Sequence, residues 1–131
     1  MPCINHASAY ATDPKLAAEH LVALVGGKIE AFHPLPGGWA CLFEGAWTGC
    51  FLELYPKTHR IFHDGEKVGF REMSESARGA GTHFNITVEK SRDVIEAICK
   101  ARGLACAWRD WAGFLDVRID DDLIVEIVCA G

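Results

Sequence analysis

No stretch of this sequence reaches the ~18 consecutive apolar residues that a membrane-crossing helix needs. Its first residues, Met1-Pro2-Cys3-Ile4-Asn5-His6, lack the basic start and apolar core of a secretory signal. These absences give the expectation of a cytoplasmic protein with no membrane partner. Basic residues are also few: Lys and Arg total 13 against 18 Asp and Glu, for a formal net charge of −5. A general nucleic-acid binder needs the opposite balance, so nucleic acid is excluded as a partner class. The cysteines Cys3, Cys41, Cys50, Cys99, Cys106 and Cys129 include no Cys-x-x-Cys pair. That spacing argues against a zinc site or disulfide framework, and leaves them as small buried hydrophobes in a reducing compartment.

What is present is a chain of 131 residues, 50% apolar and 24% charged. This is the size of one domain, or of two small halves sharing a core. Such a chain buries roughly two-thirds of its unfolded surface, so it needs no metal or disulfide merely to fold.

An internal repeat organises it. His6 precedes Gly26 by 20 positions, and His83 precedes Gly103 by 20. Each interval predicts a strand followed by an amphipathic helix. The first helix opens on Asp13-Pro14, a cap followed by proline at the first helical position. Leu16, His20, Leu21, Leu24 and Val25 recur on one side, and Gly26-Gly27 stops it. The second opens on Ser91, buries Val94, Ile95, Ile98 and Cys99, and stops at Gly103. Strands then read at 28–34, 38–45 and 49–55, and again at 104–109, 113–119 and 123–129. Each half is therefore β-α-β-β-β. The fold class is α+β: two tandem modules whose curved mixed sheets surround a shared cleft, with helices on the outer face. Residues 1–55 form the first module and 81–131 the second. Residues 56–80 form a linker or lid, longer than most connections and rich in Pro, Gly, Ser and charge, which reads either as a mobile lid or as a piece with some short structure of its own.

Alternation along the strands separates an apolar face from a polar one. Phe84, Ile86 and Val88 oppose His83, Asn85 and Thr87. Leu52 and Leu54 oppose Phe51, Glu53 and Tyr55, and Leu115, Val117 and Ile119 oppose Phe114, Asp116 and Arg118. Glu53 and Glu126 are each flanked by apolar strand residues. A single such glutamate reads as an edge position with its side chain in water. Two at matching places in a repeat, with two histidines also at matching places, read differently. An unpaired buried carboxylate is costly, so it must be protonated, ion-paired or bound to a cation. His6, Glu53, His83 and Glu126 together suit a divalent transition metal, with positions left open for water or substrate.

The paired modules, the histidine on each first strand and the glutamate on each last strand resemble the vicinal oxygen chelate superfamily over nearly all of residues 3–129. That group includes glyoxalase I, bleomycin-resistance proteins, fosfomycin-resistance enzymes and extradiol dioxygenases. Small bacterial glyoxalase-like proteins are the most similar in ligand set. The resemblance implies one Ni, Zn, Mn or Fe ion on His6, Glu53, His83 and Glu126, and a homodimer that pairs modules across its interface. It implies a lyase or isomerase acting on a small oxygenated substrate through a metal-bound enediolate, with Glu53 or Glu126 moving the proton. Tyr10, Phe51, Tyr55, Asn85, Trp108 and Arg118 are the candidate substrate contacts. Two other activities remain open: a non-catalytic small-molecule binder of the bleomycin-resistance type, using aromatic stacking, and an extradiol-type dioxygenase. His20, on the buried stripe of its helix, reads as a satisfied core histidine.

Overall fold

The structure, a computed structural model, describes residues 6–45, 47, 50–63, 65, 68–73, 82–120 and 123–130; for residues 61–63, 68, 82 and 83 it describes the backbone alone. The first module runs β1 (His6–Ala11), α1 (Pro14–Val25), β2 (Lys28–Ala31), β3 (Trp39–Leu42) and β4 (Phe51–Pro56). A hairpin of β5 (His59–His63) and β6 (Val68–Glu72) follows. The second module runs β7 (Thr82–Thr87), α2 (Arg92–Arg102), β8 (Cys106–Arg109), β9 (Phe114–Asp120) and β10 (Leu123–Val128). The fold is α+β.

The repeat extends to strand order. The sheets run β1-β4-β3-β2 and β7-β10-β9-β8, and in each the first and last strands of the module pair in parallel. The last strand of each module is therefore an interior strand. Neither Glu53 on β4 nor Glu126 on β10 sits at a sheet edge; Glu53 is buried as well, while Glu126 is half-buried.

The helices begin and end where the local chemistry requires. Asp13 caps α1 by accepting from the Leu16 amide at 3.0 Å, with Pro14 in the first turn. Ser91 stands at the equivalent place before α2, but its side chain makes no cap bond there. Gly103 ends α2 in the left-handed conformation, at φ 67°. At Gly27 the reason for glycine is steric as well, because a Cβ there would meet the Leu42 carbonyl at 2.3 Å. Strand β2 is shorter than its sequence suggests, because Pro34 and Pro36 have no N–H for a ladder.

Each helix covers the apolar face of its sheet. Ala17, Ala18, Leu21 and Leu24 of α1 join Ala9, Cys41, Leu52 and Leu54, while Ile95 and Cys99 of α2 join Leu115, Val117, Val125 and Ile127 in the same core. The helix α1 also touches α2 and β9. The Asp120 carboxylate, at the end of β9, accepts from the amides of Thr12 (2.9 Å) and Asp13 (3.2 Å) ahead of α1. At α2, Arg102 donates through Nε to His20 Nδ1 at 2.7 Å. His20 is thus a satisfied core histidine, 9% exposed. Burial, with the Arg102 charge second, holds its pKa below 6.5. No helix among the described residues is long and apolar enough to cross a membrane.

Candidate metal centre

Parallel pairing sets the first sheet's polar face. Register aligns His6 with Phe51, Ser8 with Glu53 and Tyr10 with Tyr55, and Ala40 stands across from Glu53 on β3. His6, Glu53, Tyr10, Phe51 and Tyr55 therefore share one face. Glu53 is 8% exposed. The Tyr55 hydroxyl, two residues along the same strand, donates to its Oε2. No ion pair involves Glu53 among the described residues. Burial, reinforced by the hydrogen bond to Glu53, pushes the Tyr55 phenol well above its usual range, so at neutral pH it remains a proton donor.

Aromatic rings fix both ends of this face. At one end the His6 imidazole stacks on Phe51, 4.7 Å between centroids and 11° between planes. Trp47 meets Phe51 edge-on at 5.1 Å and donates its indole N–H to Glu30. At the other end Tyr55 packs against Tyr10 (5.9 Å), Phe32 (5.5 Å) and Phe70 (5.1 Å). Phe70 comes from β6, so the hairpin covers the Tyr55 end of the face. Arg60 of β5 lies over the Tyr10 ring at 4.1 Å, with its guanidinium donating to the carbonyls of Lys57 and His59 at 2.7 Å each. Tyr55 is itself 3% exposed. It holds the carboxylate from inside the fold and presents no surface for a ligand to contact.

The second sheet repeats the pattern. Glu126 is paired with Asn85 on β7 and with Asp116 on β9. Asn85 Nδ2 lies 3.4 Å from Glu126 Oε1. The backbone of His83, two residues before Asn85, is opposite Ile124. Arg118 and Asp116 line a cavity of about 210 Å³ with Ala105, Cys106, Ala107 and Ile124, and Arg109 pairs with Asp116. Trp108 lies on the other side of the sheet. Its register partner is the buried Leu115, and Arg92 of α2 covers its ring at 4.3 Å. It does not share the face of Glu126.

The two modules meet at a second cavity of about 210 Å³, lined by His6, Phe43, Cys50 and Phe51 from the first and by Phe84, Asn85 and Ile86 from the second. His6 and Asn85 thus share one cavity. Among the described residues, no three His, Cys, Asp or Glu side chains gather at metal-binding range within one chain. His6, Glu53 and Glu126 are accordingly divided between the two sheets. The Tyr55–Glu53 bond was not foreseen from the sequence; the hairpin is the short structure that the 56–80 segment left open, but its docking on Tyr55 was not read. The signal for the bond was present in the i, i+2 spacing of the two residues on one strand.

No family model matches the chain, and no curated protein matches it. Solved structures do. The fosfomycin resistance protein FosX from Mesorhizobium loti superposes with a TM-score of 0.65 at 10% identity, covering 98% of this chain and 91% of that one. FosX from Listeria monocytogenes, solved with Mn(II) and a dihydroxypropylphosphonic acid, gives 0.63 at 9% identity, covering 100% and 92%. Lactoylglutathione lyase from Agrobacterium tumefaciens gives 0.58 at 17% identity, covering 98% and 94%. The chain has the vicinal oxygen chelate fold.

Proposed function

We propose that this protein is a metal-dependent lyase or isomerase of the glyoxalase type, acting on a small oxygenated substrate. One observation carries the reading. Each module's first strand carries a histidine, and its last strand, interior to the sheet, carries a glutamate: His6 with Glu53, and His83 with Glu126. One imidazole nitrogen and one carboxylate oxygen from each module would hold a nickel, zinc, manganese or iron ion. The donor chemistry fits, because Glu53 is a buried carboxylate whose described partner is a neutral phenol. A bound ion supplies Lewis acidity to neighbouring substrate oxygens.

The chain's own residues divide the remaining work. Tyr55 pins one oxygen of Glu53, which suits that residue to a fixed ligand role. Glu126 is half-buried and held by the longer amide contact from Asn85. It is the freer carboxylate, and so the better carrier of a proton between substrate carbons. Because the described donors do not gather in one chain, a homodimer would complete the set, joining the first sheet of one protomer to the second sheet of its partner.

The test is proton exchange in deuterated buffer. The metal-loaded protein is offered 2-hydroxycarbonyl compounds and thiol hemiacetals of 2-oxoaldehydes, and the carbon-bound hydrogen beside the carbonyl is followed by NMR. Metal-dependent exchange that is lost in Glu126→Gln even under saturating metal is the expected result. No exchange with any of these substrates, in protein shown to hold metal, would contradict a lyase or isomerase.

A second reading has its own observation. The His6, Phe51 and Trp47 rings form a continuous aromatic edge beside the inter-module cavity, which suits stacking of a flat ligand. Saturable binding of an aromatic cation without turnover would favour this bleomycin-resistance-type role.

A further inference from the structure

The two modules carry different residues on matching rows of their polar faces. In the first sheet one row reads Lys28, Leu42, Phe51, His6, and the next reads Glu30, Ala40, Glu53, Ser8. That part of the face is filled. Lys28 and Glu30 form an ion pair, Glu30 accepts from Trp47, and Leu42 is buried. In the second sheet the matching rows read Ala105, Arg118, Ile124, His83, and then Ala107, Asp116, Glu126, Asn85. Alanine stands in place of each member of the Lys28–Glu30 pair, and an exposed arginine stands in place of buried Leu42.

The small residues leave room. Ala105, Ala107, Asp116, Arg118 and Ile124 line the cavity of about 210 Å³ on this face. The alternate residues of β8, Cys106 and Trp108, belong to the other face, because their register partners Val117 and Leu115 are buried in the core. The β5–β6 hairpin packs on the first sheet, whereas Ala105, Ala107 and Arg118 are exposed. The second sheet's face is therefore the open one.

Arg118 stands within a small molecule's length of the candidate metal centre. Adjacent strands lie about 4.8 Å apart, so the backbone of His83, two strands along the same row, is roughly 10 Å from that of Arg118. Glu126 is one strand over, in the next row. The local charge suits an anion. Arg109 pairs with Asp116 and offsets that carboxylate. Arg118 is a second cation on this face, in a chain of net charge −5. A guanidinium presents paired N–H donors that match two oxygens of a carboxylate or a phosphate.

We propose that this cavity is an acid-binding subsite: Arg118 takes the carboxylate or phosphate of the substrate, and Ala105 and Ala107 make the space for it. The inference rests on the glyoxalase-type reading above and names its substrate class. The substrate is a hydroxycarbonyl compound with an acid group a few bonds from the carbonyl. Its acid end lies over β8 and β9, and its hydroxycarbonyl end extends toward Glu126 and β7. A bulkier residue at 105 or 107 would close the space without altering a charge.

The test is an NMR titration of the full-length protein, as purified and again after loading with zinc. The probes are 5-hydroxy-4-oxopentanoate, dihydroxyacetone phosphate and the uncharged 1-hydroxypentan-2-one. Both acids are expected to shift the Ala105 and Ala107 amides and the Arg118 side-chain N–H saturably, and the uncharged ketone to bind much more weakly. The tighter acid identifies the group as carboxylate or phosphate. Arg118→Gln is expected to weaken both acids roughly tenfold, the effect of losing a hydrogen bond to a charged group. Ala107→Leu is expected to weaken them too, by filling the cavity. Three results would overturn the subsite: no binding of either acid, equal binding by Arg118→Gln, or equal binding of the uncharged ketone. Turnover is not read here. Arg118-dependent acid binding in protein that shows no proton exchange would support the subsite and contradict only the lyase or isomerase reading; proton exchange without acid binding would do the reverse.

Discussion

The Tyr55 hydroxyl donates to the Glu53 carboxylate from two residues along the same interior strand. Removing the hydroxyl leaves a buried carboxylate with one partner fewer, while a phenylalanine keeps the ring contacts to Phe32 and Phe70. Tyr55→Phe is expected to cost about 1.5–3 kcal/mol of stability in metal-free protein, the range for a hydrogen bond to a charged group. Urea denaturation measures it. If Glu53 is a metal ligand, saturating metal should recover part of the loss, because binding to the folded state alone stabilises it.

Asp120 joins the modules by accepting two amides ahead of α1, from Thr12 and Asp13. Asp120→Ala leaves both without this acceptor. The expected loss is about 1–2 kcal/mol, comparable with removing a helix cap. Amide hydrogen exchange should show faster exchange at Thr12 and Asp13. Unchanged rates there would show that the contact contributes nothing.

His20 makes stability depend on pH with a defined sign. Its pKa in the folded state lies below the ordinary 6.5, chiefly through burial. Its contribution is complete above pH 6.5, where both states are neutral. As pH falls below 6.5 the unfolded chain takes up the proton first, and stability declines. Protonation also removes the acceptor for Arg102. Thermal melts from pH 7.5 to 5 should fall more steeply for wild type than for His20→Leu.

Phe70 fastens the β5–β6 hairpin to the first sheet through edge-on contacts with Tyr55 (5.1 Å) and Phe32 (6.1 Å). Each aromatic pair adds about 0.5–1.5 kcal/mol beyond its buried area. Phe70→Ala should loosen the hairpin before the sheets. Limited proteolysis is expected to cut within residues 57–73 several times faster than in wild type, with the remaining fragments still resistant.

The repeat, both helices and the faces of β1, β4, β7 and β10 were legible because each follows from local rules: period-two alternation, caps and glycine stops. Leu52, Glu53 and Leu54 announce a strand with a carboxylate on the polar face without reference to the rest of the chain. What was not legible depends on contacts distant in sequence. The hairpin lies in a charged, glycine-bearing segment whose strands are held by Phe70 docking on Tyr55 and Phe32, so no periodicity marks them. The face of Trp108 depends on its register with Leu115 and on Arg92 arriving from α2. The role of Asp120 depends on backbone amides more than a hundred residues away. Among the cysteines, Cys41 and Cys99 are buried as expected.

The most direct measurement is metal content by plasma mass spectrometry, in wild type and in His6→Ala, Glu53→Gln, His83→Ala and Glu126→Gln, each first incubated with Ni, Zn, Mn or Fe and then desalted. The account predicts about one divalent ion per wild-type chain, as expected for one four-ligand site, and a marked loss in each variant that still folds. It would be contradicted by wild-type protein that retains none of the four metals, or by metal that is retained equally when His6 and Glu126 are both replaced.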